Sequence, residues 1–100
     1  MAIISSKVIS GELQGSASAL QLPDIDCLQV TFKALASNAG NVYLGGAGVT
    51  VADGTTDATT GIELDAGDAI TLAIGNLSEC YRICDNAGDD LSYIALTAAA

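Results

Sequence analysis

The sequence predicts an all-β fold in a single domain, a small β-sandwich or barrel. Short runs of β-branched and aliphatic residues alternate with turns rich in Gly, Asn and Asp, at spacings of about ten residues. No window longer than about ten residues keeps a helical period without a glycine. The chain has 100 residues, of which 50% are hydrophobic and 15% are charged, so it should fold around one core. We find no internal repeat and no linker, and we therefore assign residues 1–100 to one domain.

The first sixteen residues predict an N-terminal arm or an edge strand. Four apolar side chains cluster before residue 11, and the stretch GELQGS that follows them is typical of a turn or loop. These four residues are Ile3, Ile4, Val8 and Ile9. Our hypothesis is that this cluster contacts a neighbouring subunit or a partner surface.

Two strands are predicted in the next part of the chain. Residues 19–22 form a short extended piece that ends at Pro23, because proline favours extended geometry in the residue before it. Residues 27–35 alternate between two faces and give the clearest strand of the sequence. The face expected to point into the core carries Leu28, Val30, Phe32 and Ala34.

Further strands follow at short intervals. The turn cluster SNAGN precedes residues 41–51, which predict two short strands around Gly45 and Gly46, and residues 52–61 predict an exposed loop. Strands are then expected at residues 62–64, 69–74, 77–84 and 91–96. In the second of these, alternation places Ile70, Leu72 and Ile74 on one face. Residues 97–100 predict a frayed end.

The charge balance excludes several partners. Three basic residues, Lys7, Lys33 and Arg82, stand against twelve acidic ones, so the formal net charge is −9. Such a chain repels nucleic acid and anionic membranes. The acidity either keeps an apolar chain soluble or complements a basic protein partner. No run approaches the roughly 20 apolar residues of a membrane span, and the N-terminus lacks a signal-peptide pattern, so we expect a protein made in the cytosol.

The sequence offers little for catalysis. It contains no histidine, so a cysteine nucleophile would lack its usual base. We interpret Cys27, Cys80 and Cys84 as buried thiols, since three thiolates without a fourth ligand are a poor zinc site. The stretch GGAGVT continues as a strand where a dinucleotide loop would open a helix, so it indicates a turn. We predict no catalytic residue and no cofactor.

The acidic pairs could serve either glycoside hydrolysis or turn formation. They are Asp24/Asp26, Asp53/Asp57, Asp65/Asp68 and Asp89/Asp90. All of them fall in predicted turns, where aspartate accepts hydrogen bonds from the nearby backbone, and this favours a structural role. Residues 85–90 share Asp and Gly with calcium loops but lack the EF-hand spacing and its closing glutamate, which leaves only a weak surface calcium site as an alternative.

An ordered series of motifs resembles the small structural proteins of tailed bacteriophages. The motifs are Leu22-Pro23-Asp24, residues 38–50, residues 64–72, Asn76-Leu77, Tyr81, Ala87-Gly88-Asp89 and Tyr93-Ile94. Each motif alone is common in turns and strands, whereas their order over about four fifths of the chain is more specific. The chain departs from the family pattern in its long, Thr-rich loop at residues 53–60 and in Cys80 and Cys84, which stand where aliphatic residues are expected.

The resemblance implies a non-enzymatic virion protein with a jelly-roll-like β-sandwich. It implies a head decoration (cement) protein that is made in the bacterial host, binds the major capsid protein on the outside of the head as a homotrimer, and uses no metal. Ile3, Ile4, Val8 and Ile9 would then contact a neighbouring subunit or the shell. A tail, baseplate or head-fibre module is the alternative in the same class. A carbohydrate-binding module is a further alternative, for which the chain offers no tryptophan and three tyrosines, Tyr43, Tyr81 and Tyr93.

Overall fold

The computed structural model describes residues 6–98 and confirms the predicted all-β sandwich. This part of the chain contains eight strands and one short 3-10 helix. The strands are β1 (Ser6–Leu13), β2 (Leu20–Gln21), β3 (Gln29–Ala34), β4 (Val42–Gly45), β5 (Ile62–Leu64), β6 (Ala69–Leu72), β7 (Tyr81–Cys84) and β8 (Leu91–Ala98), and the 3-10 helix is Leu77–Glu79. Among these residues, no helix has the length and apolar character needed to cross a membrane.

The strands form two antiparallel four-stranded sheets with the connectivity of a jelly roll. Sheet I has the order β1-β8-β3-β6, and sheet II has the order β2-β7-β4-β5. Each strand of the first half of the chain pairs with its counterpart in the second half, β1 with β8, β2 with β7, β3 with β6 and β4 with β5. The chain is therefore one long hairpin rolled into two layers, as the jelly-roll expectation implies.

The core lies between the two sheets and follows the alternation of the strands. In β3, Val30, Phe32 and Ala34 are fully buried, as their spacing predicts. They meet Val42 and Leu44 of β4 across the sandwich, and Leu91 and Ala95 of β8 extend the same cluster. Phe32 is the largest of these buried side chains, and its burial contributes roughly 1.5–3 kcal/mol to folding.

The connection between β4 and β5 folds back over the outer face of sheet II. Tyr43 points away from the core, because its neighbours Val42 and Leu44 both point into it, yet only 3% of Tyr43 is exposed. Val49 of the connection is equally buried and lies outside the core cluster. A Cβ added at Gly61 would lie 2.7 Å from Cγ2 of Val49 and 3.0 Å from Cβ of Tyr43. Glycine at position 61 therefore lets the connection lie directly on the sheet.

Two predicted boundaries near the N-terminus were wrong. Gly11 to Leu13, expected in a loop, continue β1 and pair with β8. Gly11 allows this because a Cβ there would lie 2.9 Å from Cε1 of Tyr93. Leu28, expected on the same face as Val30 and Phe32, is exposed, and β3 begins only at Gln29.

Three further expectations also need correction. The second strand expected within residues 41–51 is absent from the described fold, where Thr50 makes only an isolated bridge to Thr60. The strand expected from Leu77 begins with the 3-10 helix instead, because the Asn76 side chain caps that turn by accepting a hydrogen bond from the Ser78 N–H (2.9 Å). The predicted frayed end at residues 97–100 was wrong for Thr97 and Ala98, which pair with Lys7 and Ser6. In total, β1 and β8 pair over eight residues.

Candidate interaction surfaces

The outer face of sheet I carries an apolar patch. Val8, Ile94 and Leu96 project from it, with exposed fractions of 60%, 52% and 39%. Val8 is the direct cross-strand partner of Leu96, and Ile94 lies diagonally next to Val8, so the three side chains are contiguous. We call these three residues the outer patch.

A shallow hollow lies within the outer patch. Its volume is about 170 Å³, and Gln29 and Thr31 of β3 complete its rim. Thr31 is fixed by a hydrogen bond of 2.7 Å between its Oγ1 and that of Thr71 on β6. This part of sheet I therefore presents aliphatic side chains around a hollow on a rigid, hydrogen-bonded support.

A second apolar surface lies where the edges of the two sheets meet. Strands β5 and β6 are edge strands of different sheets, and the cleft between them is about 270 Å³ in volume. Its lining includes Ile62, Ile70, Leu72, Ile74, Glu79 and Cys80. We call these six residues the side opening. Ile62 is 58% exposed, so this aliphatic side chain stands at the rim and not in the core.

The structure separates the four predicted contact residues. Ile3 and Ile4 lie outside the described residues. Val8 belongs to the outer patch, whereas the adjacent Ile9 points to the other face of β1 and packs against the core. Among the described residues, the contact hypothesis therefore rests on Val8.

Sequence reasoning missed Ile94, Leu96 and Ile62 as surface residues. The sequence LSYIAL of β8 was predicted as a strand, but no face was assigned to its residues. Its apolar residues occupy both faces, because Leu91 and Ala95 are buried while Ile94 and Leu96 are exposed. The sequence contained a signal for this surface. Apolar residues stand at nearly every position of β8, so both faces of the strand are apolar, and the outer face forms an exposed patch when nothing covers it.

The loop at residues 85–90 uses its carboxylates to hold the fold together. Oδ1 of Asp89 accepts hydrogen bonds from the Ala39 and Gly40 N–H groups (3.1 and 3.0 Å), and Oδ2 accepts two from Asn86 (both 3.0 Å). Burial alone would raise the pKa of Asp89, but the bonds from Gly40, Asn86 and Ala39 outweigh it and lower that pKa. Because these donors already occupy both oxygens, Asp89 is a poor calcium ligand.

Asp85 links the same loop to sheet II. Its Oδ1 accepts a hydrogen bond from the Tyr43 hydroxyl (3.1 Å), and its Oδ2 accepts one from the Asn41 N–H (2.9 Å). Burial, together with the hydrogen bond to Asp85, raises the pKa of Tyr43 to about 12. Tyr43 is thus a buried structural tyrosine.

The other acidic pairs also bind neighbouring donors. The Asn76 amide donates to Asp24 (2.8 Å) and to Asp26 (3.0 Å), and Asp53 accepts from the Thr55 N–H (3.0 Å). Within residues 6–98, no group of three or more Cys, Asp or Glu side chains is placed to hold a metal ion. The expected local role is seen at Asp53, whereas the expectation of a turn was wrong for Asp24 and Asp26, which accept from the side chain of the distant Asn76.

The three cysteines are free and buried, as the sequence predicts. Burial raises the pKa of each thiol, so none is activated as a nucleophile. Cys27 donates to the Ile74 carbonyl at 3.1 Å, and Cys80 borders the side opening. Cys84 lies in the core cluster.

The aromatic side chains do not form an exposed platform for sugars. Phe32 and Tyr43 are buried, and Tyr93 packs against the core. Tyr81 is half-buried in β7. Because these four are all the aromatic residues of the chain, a carbohydrate site would have to work without an open aromatic face.

Comparison with protein-family models, with curated proteins and with solved structures finds no match to this chain. The proposed function therefore rests on the geometry of the chain and on the motif resemblance.

Proposed function

We propose that this protein is a non-enzymatic structural component of a tailed-bacteriophage virion. In this proposal it is a decoration protein that binds the major capsid protein on the outer surface of the head as a homotrimer and stabilises the shell. The observation that carries the proposal is the uncovered outer patch of Val8, Ile94 and Leu96 on a hydrogen-bonded jelly roll. The ordered motif resemblance supports the viral context.

The outer patch favours a binding role over a catalytic one. Contiguous exposed apolar side chains on a strongly acidic domain indicate a protein partner. The carboxylates of the turns bind neighbouring backbone and side-chain donors, and the buried thiols have raised pKa values, so the described side chains offer no activated group. A rigid module without such a group fits a structural role.

A symmetric oligomer would strengthen binding to a repetitive shell. Each copy of a small domain makes only a weak contact, but several copies held together bind with much higher avidity. Three copies on a local threefold axis of the shell would use the same contact three times. This reasoning favours a homotrimer over an isolated subunit.

The proposal is tested by locating the protein on virions. Antibodies raised against the purified chain are used for immunogold electron microscopy of phage particles purified from the bacterial culture that produces it. We expect gold over the heads. Gold over tails or baseplates would support the alternative of a tail module and contradict decoration of the head, and particles without gold would contradict a virion role altogether.

A second test is the native mass of the chain by size exclusion with light scattering at low and high salt. We expect three times the chain mass of 10.0 kDa at both salt concentrations, because apolar contacts resist screening. A monomer at both concentrations would contradict the homotrimer.

A further inference from the structure

We propose that the Asp53-Gly54 dipeptide is a modification site, at which the protein isomerises its own backbone from aspartate to isoaspartate. The inference goes beyond the proposed function and does not depend on it. Asp53 is the only aspartate or asparagine of the sequence that a glycine follows. The site is therefore defined by one dipeptide, and it lies in the exposed loop at residues 52–60.

The reaction needs only the groups of this dipeptide and water. The main-chain nitrogen of Gly54 attacks Cγ of the protonated Asp53 side chain, so a C–N bond forms, and the carboxyl hydroxyl leaves with the proton of that nitrogen as water. Water then opens the resulting cyclic imide at the former main-chain carbonyl of Asp53. Cγ of Asp53 now belongs to the main chain, and the released α-carboxylate replaces the side-chain carboxylate. Mass and charge are unchanged, and nothing is oxidised or reduced.

The surroundings of Gly54 leave its nitrogen accessible. Glycine has no side chain to hinder the attack, and a Cβ built at position 54 would meet no atom beyond its chain neighbours within 4 Å. The φ of Gly54 is +90°, which glycine adopts without strain. Within the described residues, its N–H donates no backbone hydrogen bond in a turn or loop. The dipeptide is thus free of the packing that would prevent the imide from closing.

The rest of the fold can tolerate the product. The loop is closed by the bridge between Thr50 and Thr60 and by a hydrogen bond of 3.1 Å between the hydroxyls of Thr50 and Thr59. Asp53 and Gly54 lie between these contacts, and every residue from 52 to 60 is exposed. The additional main-chain carbon therefore lengthens the loop on the solvent side of the closing contacts, away from the core.

Thr55 controls the rate of this reaction. Its hydroxyl and its N–H donate to Oδ1 of Asp53 at 2.6 and 3.0 Å. These two bonds, the hydroxyl bond first, lower the pKa of Asp53 and keep its side chain ionised at neutral pH. Because a carboxylate is a poorer electrophile than the neutral acid, both bonds slow the attack by Gly54. Loss of the Thr55 hydroxyl should therefore accelerate the isomerisation.

The first experiment follows isoaspartate in the full chain during several weeks at neutral pH. Isoaspartate methyltransferase attaches a labelled methyl group to the new α-carboxylate, and mass spectrometry of proteolytic fragments locates the label. We expect label at residue 53 of the wild type. Asp53→Glu should carry none at this position, because glutamate would have to close a larger and less favourable ring. Circular dichroism checks that each protein remains folded.

A matched pair of variants tests the role of Thr55. Thr55→Val removes the hydroxyl but keeps the N–H and the branched shape of the side chain. Thr56→Val makes the same change at the next exposed position, whose hydroxyl is not among the groups that bind Asp53. We expect Thr55→Val to accumulate isoaspartate at residue 53 several-fold faster than the wild type, and Thr56→Val to match the wild type.

Several outcomes would overturn the inference. A wild type without isoaspartate at residue 53 would contradict the modification site, and so would equal labelling of Asp53→Glu at this position. Equal rates for Thr55→Val and Thr56→Val would contradict the control by Thr55. The immunogold and native-mass results judge the proposed function separately, because isomerisation of this loop requires neither a virion nor an oligomer.

Discussion

Sheet I and sheet II have four strands each and share one core, but their outer faces differ in what covers them. On sheet II, the β4–β5 connection lies over the strands and buries Tyr43 and Val49. On sheet I, the outer face carries Val8, Ile94 and Leu96, which are exposed. The comparison shows that, within residues 6–98, the chain covers one apolar face with its own loop and leaves the other exposed.

The largest loss of stability is expected at Asp89, which joins two connections between the sheets by hydrogen bonds. The loop that carries Asp89 joins sheet II to sheet I, and the turn that it binds, with Ala39 and Gly40, joins sheet I to sheet II. Asp89→Asn would turn an amide NH₂ toward existing N–H donors. We expect a loss of about 3 kcal/mol in the free energy of unfolding at neutral pH, measured by urea denaturation.

The same substitution should change the pH dependence of stability. The folded-state pKa of Asp89 is lowered, so its contribution is complete above the pKa of an unfolded aspartate and disappears as the pH falls through the folded-state pKa. The difference between wild type and Asp89→Asn should therefore shrink in acid. Asp57→Asn, at an exposed loop position, is the control and should cost less than about 0.5 kcal/mol. A difference that stays constant with pH would contradict this account of Asp89.

The next effect compares the same substitution on the two outer faces. Val49→Ala removes buried methyl groups from the β4–β5 connection and should cost about 2 kcal/mol, because Val49 is only 2% exposed. Val8→Ala on sheet I should cost less than about 0.5 kcal/mol in dilute protein. Urea denaturation of both variants gives the comparison. Equal losses would mean that the two outer faces are covered to the same extent.

The smallest effect is expected at Tyr43 of sheet II in alkali. The folded-state pKa of Tyr43 is raised from 10.0 to about 12, so its stabilisation is complete below pH 10 and is lost as the pH rises from 10 to 12. Stability should fall by about 1.4 kcal/mol between neutral pH and pH 11 from this group. Tyr43→Phe should lack that part of the decline. A titration of phenolate absorbance without a group near pH 12 would contradict the assignment.

Local patterns in the sequence were sufficient to predict much of the fold. The alternation in β3 predicted the burial of Val30, Phe32 and Ala34, because one face of that strand is covered along its whole length. The turn at residues 85–90 was also predictable, since Asp89 accepts a hydrogen bond from the backbone N–H of Asn86, three residues before it. These features depend on neighbours close in sequence or on a single buried face.

The remaining features depend on contacts between distant residues. Gly11 has the sequence environment of a loop residue. Its place in β1 depends on Tyr93 of the paired strand, which occupies the space beside it. Val49 has the sequence environment of a strand, but its segment packs over the outer face of sheet II and does not join the sheet. The outer patch combines Val8 with Ile94 and Leu96 from the other end of the chain, so no local pattern could assemble it.

The pairing of β1 with β8 brings the two limits of the described chain together. Ser6 is the register partner of Ala98, so their Cα atoms lie about 5 Å apart. A few added residues could join the two and make a backbone-cyclised or circularly permuted variant, with new termini opened in the exposed loop at residues 52–60.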